Sequence, residues 1–200
     1  MIQKDRIING CEELFQKAGI KAVTMDEIAK HLGISKKTIY QHYSDKGKIV
    51  FDLIRQKIKA NEKQINSKLT QYRNAMDKLI SLEIPIKGIF ESINPIVFHE
   101  LEKYYPEAWS LIRQFKSEFL PRTLENLLNE GIADGLFRPE IDPRIIARMC
   151  VIDIGMSFNQ SVFPATEFDL WKIQSQCFEH FTFGLGTEKG IALFTNKRRI

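Results

Sequence analysis

Two helix starts separated by a glycine constrain the fold of this chain more than any other feature. Thr24 and Glu27 have the spacing of a capping box, and Ser35 stands where it would cap a second helix. Between them, Gly33 can adopt the left-handed backbone that a tight turn requires. A helix, a glycine-containing turn and a second helix form a helix-turn-helix. Residues 24–46 therefore predict that motif, in which the second helix enters the major groove of DNA.

Apolar residues flank each helix start and are expected to fix the two helices to a core. Val23 and Ile28 have the spacing of a hydrophobic staple around the first start, and Ile34 and Ile39 repeat it around the second. The remaining side chains of the second helix are mostly polar. At about 1.5 Å per residue, residues 36–42 span roughly 10 Å, which is comparable to the ~12 Å width of the major groove.

Positive charge is in excess around this motif. The whole chain has a net charge of +4, and residues 1–50 contain nine Lys and Arg against six Asp and Glu. Within residues 33–46, Lys36, Lys37 and Lys46 are accompanied by the single acid Asp45. A basic patch of this kind is expected where a protein meets phosphates, although an individual exposed lysine is often only a solvated charge.

Several short motifs recur along residues 6–50. They are ELF at 13–15, AG at 18–19, T-x-x-E-I-A at 24–29, GIS at 33–35, T-I-Y at 38–40 and H-Y at 42–43, followed by Lys46. In these motifs the segment resembles the DNA-binding domain of the TetR family of bacterial transcriptional regulators. One position departs from the family pattern: Gly47 replaces the usual glutamate and is expected to weaken the first turn of the following helix.

The resemblance implies a DNA-binding role for individual side chains. By this resemblance, Thr24, Tyr40 and Lys46 are expected to contact phosphate. The exposed residues of the second helix are expected to face base edges or nearby phosphates. The residue types agree, since lysine can donate to guanine and glutamine can pair with adenine. Tyr43 is instead expected in the core. The predicted set is Thr24, Lys36, Lys37, Thr38, Tyr40, Gln41, His42 and Lys46.

Apolar residues recur at helical spacing throughout the chain, and the predicted fold class is all-α, with a helix-turn-helix domain at 1–46 and a larger helical domain at 47–200. A long fourth helix is expected to end near Ser67, and Pro85 and Pro121 are expected to kink the helices that contain them. The glycine-rich stretch at 184–190 is interpreted as a frayed helix end and a tail. The later helices are predicted at 72–93, 95–104, 107–131, 142–161 and 166–185.

The last two long helices are the predicted dimer interface. The segment 144–163 is apolar on more than one face, as expected for a helix buried against its own domain and a partner. The segment 170–185 carries one apolar stripe. Together with the resemblance, this predicts a homodimer through helices near 142–161 and 166–185, with four helices in the contact.

A small-molecule effector site is expected in the larger domain. Aromatic and methionine side chains line adaptable apolar pockets, although each of them is also an ordinary core residue. Asp153 is an acid among Val151, Ile152 and Ile154, so it could meet a cationic ligand or a partner arginine, or face a hydrated seam. The candidates are Phe98, Tyr104, Trp109, Phe115, Phe119, Met149, Asp153 and Met156.

Other functional classes receive little support from the sequence. Cys11, Cys150 and Cys177 are widely spaced and form neither a CxxC pair nor a zinc-ligand pattern, so no metal or cofactor is expected. The sequence lacks G-x-S-x-G and H-E-x-x-H, and no enzymatic activity is expected. The N-terminus lacks the apolar block of a secretory signal, and no apolar run is long enough to span a membrane, which predicts a cytoplasmic protein.

These features predict a ligand-responsive repressor that binds a palindromic operator as a homodimer. Two alternatives remain at the level of sequence. An architectural DNA-binding protein without an effector would have a solid core in its larger domain. An enzyme with an incidental helix-turn-helix would need clustered acid, base or metal-binding residues.

Overall fold

The computed structural model describes residues 4–83, 88, 94–159, 161–164 and 166–198. These residues are largely helical and contain no β-strand beyond one bridge between Phe137 and Gly186. The predicted all-α class is confirmed. The helices whose bounds lie within the described residues are α1 (Lys4–Ala18), α2 (Met25–Leu32), α3 (Lys36–Tyr40), α4 (Lys46–Gln71), α5 (Ala75–Ser81), α6 (Pro95–Tyr104), α7 (Pro106–Gln114), α8 (Leu120–Ala133), α9 (Pro143–Met156), α10 (Leu170–Leu185) and α11 (Glu188–Arg198).

The chain packs into two compact units. The first unit comprises residues up to Ala60 together with the segment ending at Gln114, and the second comprises the rest. In the first unit, α1 to α3 and the start of α4 share a core with Leu101 of α6 and Ala108 of α7. The helix-turn-helix is thus packed together with two helices that lie more than fifty residues further along the chain.

The caps predicted for α2 and α3 are present. Thr24 Oγ1 accepts a hydrogen bond from Glu27 N at 3.2 Å, and Glu27 Oε2 accepts one from Thr24 N at 2.7 Å, which completes the capping box. Ser35 Oγ accepts a hydrogen bond from Thr38 N at 3.1 Å. Gly33 ends α2 with φ at 65°, a conformation that a side chain would strain. The capping box, the Ser35 cap and the left-handed Gly33 are all confirmed.

α4 begins directly after its cap and ends close to the expected position. Asp45 Oδ1 accepts a hydrogen bond from Lys48 N at 2.9 Å, so Asp45 caps the helix, and Ser44 Oγ donates to Asp45 Oδ2 at 2.8 Å. The helix then continues to Gln71, beyond the predicted end at Ser67.

The second unit is built around α5, α8, α9, α10 and α11. Its core contains Met76, Leu128, Phe137 and Phe194. Gly131 allows Phe137 to pack directly on α8, since a Cβ at Gly131 would lie 1.9 Å from Phe137 Cδ2. None of the helices in the described residues is both long and apolar enough to cross a bilayer.

The helix predicted over 107–131 is continuous but not uniform. α7 passes through a π-helical segment, Phe115–Phe119, directly into α8. Pro121 is in the first turn of α8, where it cannot donate a backbone hydrogen bond to the preceding turn. The α-helical pattern is thus interrupted immediately before α8, and the kink at Pro121 stays a prediction. The kink predicted at Pro85 lies outside the described residues.

The helix predicted over 72–93 starts later, at Ala75, and is interrupted by a turn at Leu82 after α5. Glu83 and Gly88 are again helical, and residues 84–87 and 89–93 lie outside the described residues. The prediction of a C-terminal tail is wrong. The expected C-terminal tail is helix α11. Thr187 Oγ1 accepts a hydrogen bond from Gly190 N at 3.2 Å, and Phe194 is fully buried, so a cap and a core contact hold this helix in place.

Candidate nucleic-acid interface

α3 is fixed to the core on one side and presents polar residues on the other. Ile39 is fully buried and Tyr43 is 3% exposed, which confirms that Tyr43 is a core residue. Burial raises the pKa of Tyr43 to about 12, with a further contribution from Asp52. Tyr40 is 48% exposed, an unusual environment for a large aromatic side chain. The exposed side chains on or next to α3 are Ser35, Lys36, Lys37, Tyr40 and Gln41.

The polar groups around α3 are linked to one another by surface interactions. Lys36 Nζ lies 3.0 Å from Asp26 Oδ2, and both side chains are exposed, so this pair contributes little stability and leaves Lys36 available to a phosphate. The Thr38 and Ser35 hydroxyls lie 2.8 Å apart. Thr38 and His42 are half-buried at the edge of the exposed face.

The N-terminus of α2 lies in the same motif and is also exposed. The Thr24 hydroxyl donates to Glu27 Oε2 at 2.9 Å while accepting from the Glu27 backbone. Hydrogen bonds from the Thr24 backbone and then from its side chain lower the pKa of Glu27, so this carboxylate stays charged. Thr24 is therefore held in one orientation at a helix N-terminus, where backbone N–H groups and the helix dipole favour a phosphate.

Lys46 is placed differently from the other predicted contacts. Its ammonium donates to Ile20 O at 2.7 Å and to Val23 O at 2.7 Å, and lies 3.4 Å from Lys21 O. Burial lowers its pKa, an effect opposed by the nearby carboxylates of Glu100 and Glu27. These carbonyls accept the hydrogen bonds that Lys46 could otherwise donate to a phosphate. The role of Lys46 in binding the DNA backbone therefore stays a prediction.

The sequence analysis missed a set of contacts from α6 and α7 to this motif. Glu100 of α6 accepts hydrogen bonds from the turn between α1 and α2, and Glu107 of α7 pairs with Lys48 at 2.8 Å. Asn94 binds the end of α1 through the side chain and the backbone of Gln16. These partners are separated by 59 to 80 residues, and no local sequence signal predicts them.

The predicted effector-site residues are distributed over both units. Phe98 and Trp109 are in the first unit, with ring centroids 5.0 Å apart in an edge-to-face contact. Tyr104, also in the first unit, is 44% exposed and lies beneath Lys21 Nζ at 4.9 Å from its ring centroid. These three side chains thus contribute to the packing of α6 and α7 in the DNA-binding unit.

The other effector-site candidates are in the second unit. Phe115 and Phe119 stack in the π-helical segment with centroids 5.3 Å apart. Asp153 is half-buried on α9 close to Cys150, whose pKa is raised to about 12 by burial and then by the Asp153 charge. Met149 and Met156 are 50% and 44% exposed, so they lie on the outside of this unit.

An apolar stripe runs along the exposed side of α9. Four large side chains follow the helical repeat, and Ile145 and Ile152 are 58% and 61% exposed. Exposed large apolar side chains that follow one another along a helix mark an interaction surface. We call this set the α9 stripe: Ile145, Met149, Ile152 and Met156.

No group of three or more His, Cys, Asp or Glu that could hold a metal ion occurs within the part of the chain that the structure describes. The functional geometry is therefore that of the first unit. A helix-turn-helix with an exposed, lysine-bearing second helix defines a DNA-binding protein of the transcription-regulator class.

Comparison with known proteins agrees with this class. Residues 7–53 match the model of the family described as bacterial regulatory proteins, tetR family. The chain is 30% identical over 156 residues to the uncharacterized HTH-type transcriptional regulator YvaF of Bacillus subtilis, covering 77% of this chain and 80% of that protein. It is 26% identical over 145 residues to the HTH-type transcriptional repressor KstR2 of Mycobacterium tuberculosis, covering 68% and 69%.

A solved structure extends the likeness to almost the whole fold. The transcriptional regulator FadR of Bacillus subtilis, in complex with stearoyl-CoA, superposes with a TM-score of 0.68 at 19% identity, covering 91% of this chain and 99% of that chain. The protein belongs to the tetR family of bacterial regulatory proteins.

Proposed function

We propose that this transcriptional regulator is a ligand-responsive repressor that binds a palindromic operator as a homodimer. The observation that carries the proposal is the exposed polar face of α3, which Ile39 fixes to the core beside a capped α2 N-terminus. Repression is proposed because the similar KstR2 is named a repressor. Because a repressor acts by occupying DNA, the proposal includes no enzymatic activity. The proposed location is the cytoplasm.

The proposed DNA contacts divide into two kinds. Lys36, Lys37 and Gln41 extend from the exposed face of α3 toward base edges or neighbouring phosphates, since lysine and glutamine side chains can read purines in the major groove. Thr24 and Tyr40 contact phosphate at the two ends of the motif. Thr38, His42 and Lys46 complete the proposed set as residues at its edge.

The proposed homodimer forms through α9 and α10. The α9 stripe supports this assignment, since large apolar side chains at roughly half exposure are stabilised when a partner covers them. Phe183 of α10 is a further exposed apolar residue, at 43%. In such a dimer bound to DNA, the two α3 helices would lie roughly 34–36 Å apart, one helical turn of DNA.

The proposed effector site lies in the second unit, around Phe115, Phe119 and Asp153. The structure of FadR with stearoyl-CoA supports an effector with a large apolar portion, which the stacked phenyl rings of Phe115 and Phe119 suit. The effector would favour a conformation with lower DNA affinity, and the loss of affinity can be no larger than its preference between the two states.

Selection of bound sequences from a random DNA library, at a stated salt concentration, tests this function. Enrichment of a pseudo-palindrome with half-sites about one helical turn apart is the expected result. Weak, sequence-independent and salt-sensitive binding would instead indicate an architectural DNA-binding protein.

A further inference from the structure

The turn between α1 and α2 is held by side chains of two other helices. The backbone N–H groups of Ile20 and Lys21 donate to Glu100 Oε2 at 2.6 and 3.0 Å. The carbonyl groups of the same turn are bound by Lys46, whose Nζ donates to Ile20 O and to Val23 O, both at 2.7 Å. We call Glu100 and Lys46 the turn clamp.

Several neighbouring contacts keep α6 against this turn. Asn94, which caps α6, donates through its side-chain amide to Gln16 O at 2.8 Å and through its backbone N–H to Gln16 Oε1 at 3.1 Å. At Gly19, where φ is 82°, a Cβ would lie 3.1 Å from Glu100 Oε2. The carboxylate therefore lies directly against the backbone of the turn, in a contact that admits little displacement.

The turn ends where the proposed phosphate contact begins. Val23, whose carbonyl is bound by Lys46, is followed at once by Thr24, the N-cap of α2. Because the peptide between them is planar, the Thr24 Cα keeps a fixed position relative to the Val23 carbonyl. A displacement of the turn would consequently displace the N-terminus of α2 relative to the DNA backbone.

We propose that Glu100 is a positioning residue for operator binding. By accepting hydrogen bonds from Ile20 and Lys21, its carboxylate holds the turn so that the α2 N-terminus meets a DNA phosphate, while Lys46 holds the carbonyl groups of the same turn. Glu100 acts through the turn and not by contact with DNA. This inference rests on the proposed function, since it explains how one helix of the first unit affects the affinity of another for an operator.

Two substitutions separate reach from charge at this position. Glu100→Asp keeps the charge but is one methylene shorter, so its carboxylate no longer reaches the backbone N–H groups of Ile20 and Lys21. Glu100→Gln keeps the length and an acceptor oxygen but loses the charge. Glu102→Ala is the matched control, because Glu102 is an exposed acid on the same helix. Glu100→Ala provides a second variant without the contact.

The affinity of each full-length variant for the selected operator is the first measurement. Loss of charge-assisted hydrogen bonds to two backbone donors is expected to lower the affinity about tenfold in Glu100→Asp and Glu100→Ala. Glu100→Gln is expected to stay within about threefold of the wild type, and Glu102→Ala to bind like the wild type. Circular dichroism establishes that each variant is folded.

Hydrogen exchange of the Ile20 and Lys21 amides is the second measurement, and it needs no DNA. Faster exchange is expected in Glu100→Asp and Glu100→Ala, and exchange near the wild-type rate in Glu100→Gln. If Glu100→Gln and Glu102→Ala instead strengthen binding equally, in an effect that salt removes, Glu100 acts only as a surface charge and the inference is overturned.

The same experiments distinguish failure of this inference from failure of the proposed function. A wild-type protein that selects no palindromic site overturns the function and, with it, this inference. If the wild-type protein selects a palindromic site and all four variants bind that site with the wild-type affinity, only the inference is overturned. Unchanged exchange of both amides in Glu100→Asp would also overturn it.

Discussion

α3 and α9 are both only half-covered by their own unit, but they expose opposite kinds of side chain. α3 presents Lys36, Lys37 and Gln41, whereas α9 presents a stripe of isoleucine and methionine. Polar side chains on a helix are solvated at no cost and can exchange water for phosphate or base edges. Large apolar side chains gain free energy only when another surface excludes water from them.

The difference shows which partner each region suits. A short helix with positive charge outside suits a polyanion, and its affinity will depend on salt. An apolar stripe suits a second protein surface, and its association will depend far less on salt, because it buries apolar area and not charge. The two helices therefore make distinguishable predictions.

The largest expected effect comes from removing the side chain that fixes α3. Ile39 is fully buried, so Ile39→Ala should lower the free energy of unfolding by about 2–5 kcal/mol, measured by denaturant titration. Tyr40→Ala is the matched control, because this exposed neighbour should leave stability nearly unchanged while weakening DNA binding. Equal losses of stability in both variants would show that α3 has no distinct buried side.

A carboxylate in the α9 stripe should separate the proposed dimer. Ile152→Glu places a charge in the middle of the apolar contact, and the dimer dissociation constant should rise roughly 100-fold, equivalent to ~3 kcal/mol. Analytical ultracentrifugation over a range of concentrations measures this constant. Ala192→Glu adds the same charge at an exposed position of α11 and should leave it unchanged. An unaltered dimer in Ile152→Glu would mean that α9 is not at the interface.

Base reading by α3 should be detectable as a loss on the operator alone. Gln41→Ala is expected to cost about 1–3 kcal/mol on the selected site and much less on random DNA, measured by fluorescence anisotropy. Lys37→Ala serves for comparison, since a lost phosphate contact weakens binding to both DNAs and lowers the salt slope by about one. Equal losses on both DNAs for Gln41→Ala would remove Gln41 from the base-reading residues.

The smallest expected effect concerns the N-terminal caps of α9 and α3, of which only the cap of α9 is charged. Asp142 caps α9, and hydrogen bonds from the Arg144 side chain and then from its backbone lower the pKa of Asp142 from 3.8 to about 2. Because the folded pKa is depressed, its stabilisation is present above pH 3.8 and is lost as the pH falls through about 2. Asp142→Asn should therefore lower the denaturant midpoint at pH 7.

The control for this effect is the neutral cap of α3. Ser35→Ala should lower stability by about the same amount at every pH, because the Ser35 hydroxyl does not titrate in this range. The Asp142→Asn and wild-type midpoints should converge near pH 2. A difference that persists at that pH would show that the Asp142 charge is not what stabilises the start of α9.

The parts of the fold that the sequence predicted are those encoded over three or four residues. The capping box of Thr24 and Glu27, the cap at Ser35 and the left-handed Gly33 each satisfy backbone groups of their own helix. Their signals are therefore present in a short window of sequence. The burial of Tyr43 followed from its helical spacing to Ile39.

The parts that were missed depend on partners far along the chain. α11 has a local signal in Thr187 and in the basic residues of its last turn, but the burial of Phe194 in the second unit identifies it as a packed helix. No sequence pattern around Glu100 indicates its contact with Ile20, which lies eighty residues earlier in the chain. Such pairings follow from tertiary packing, which periodicity and capping rules do not encode.

Substitution of Gly33 and of Gly131 is restricted for different structural reasons. A Cβ added at Gly33 would have no atom of the described residues within 4 Å, so only the backbone angle restricts substitution and asparagine is the tolerated replacement. At Gly131 the backbone is ordinary helix, but the Phe137 ring occupies the space. A replacement there requires a smaller residue at 137 as well, so position 131 can change only if position 137 also changes.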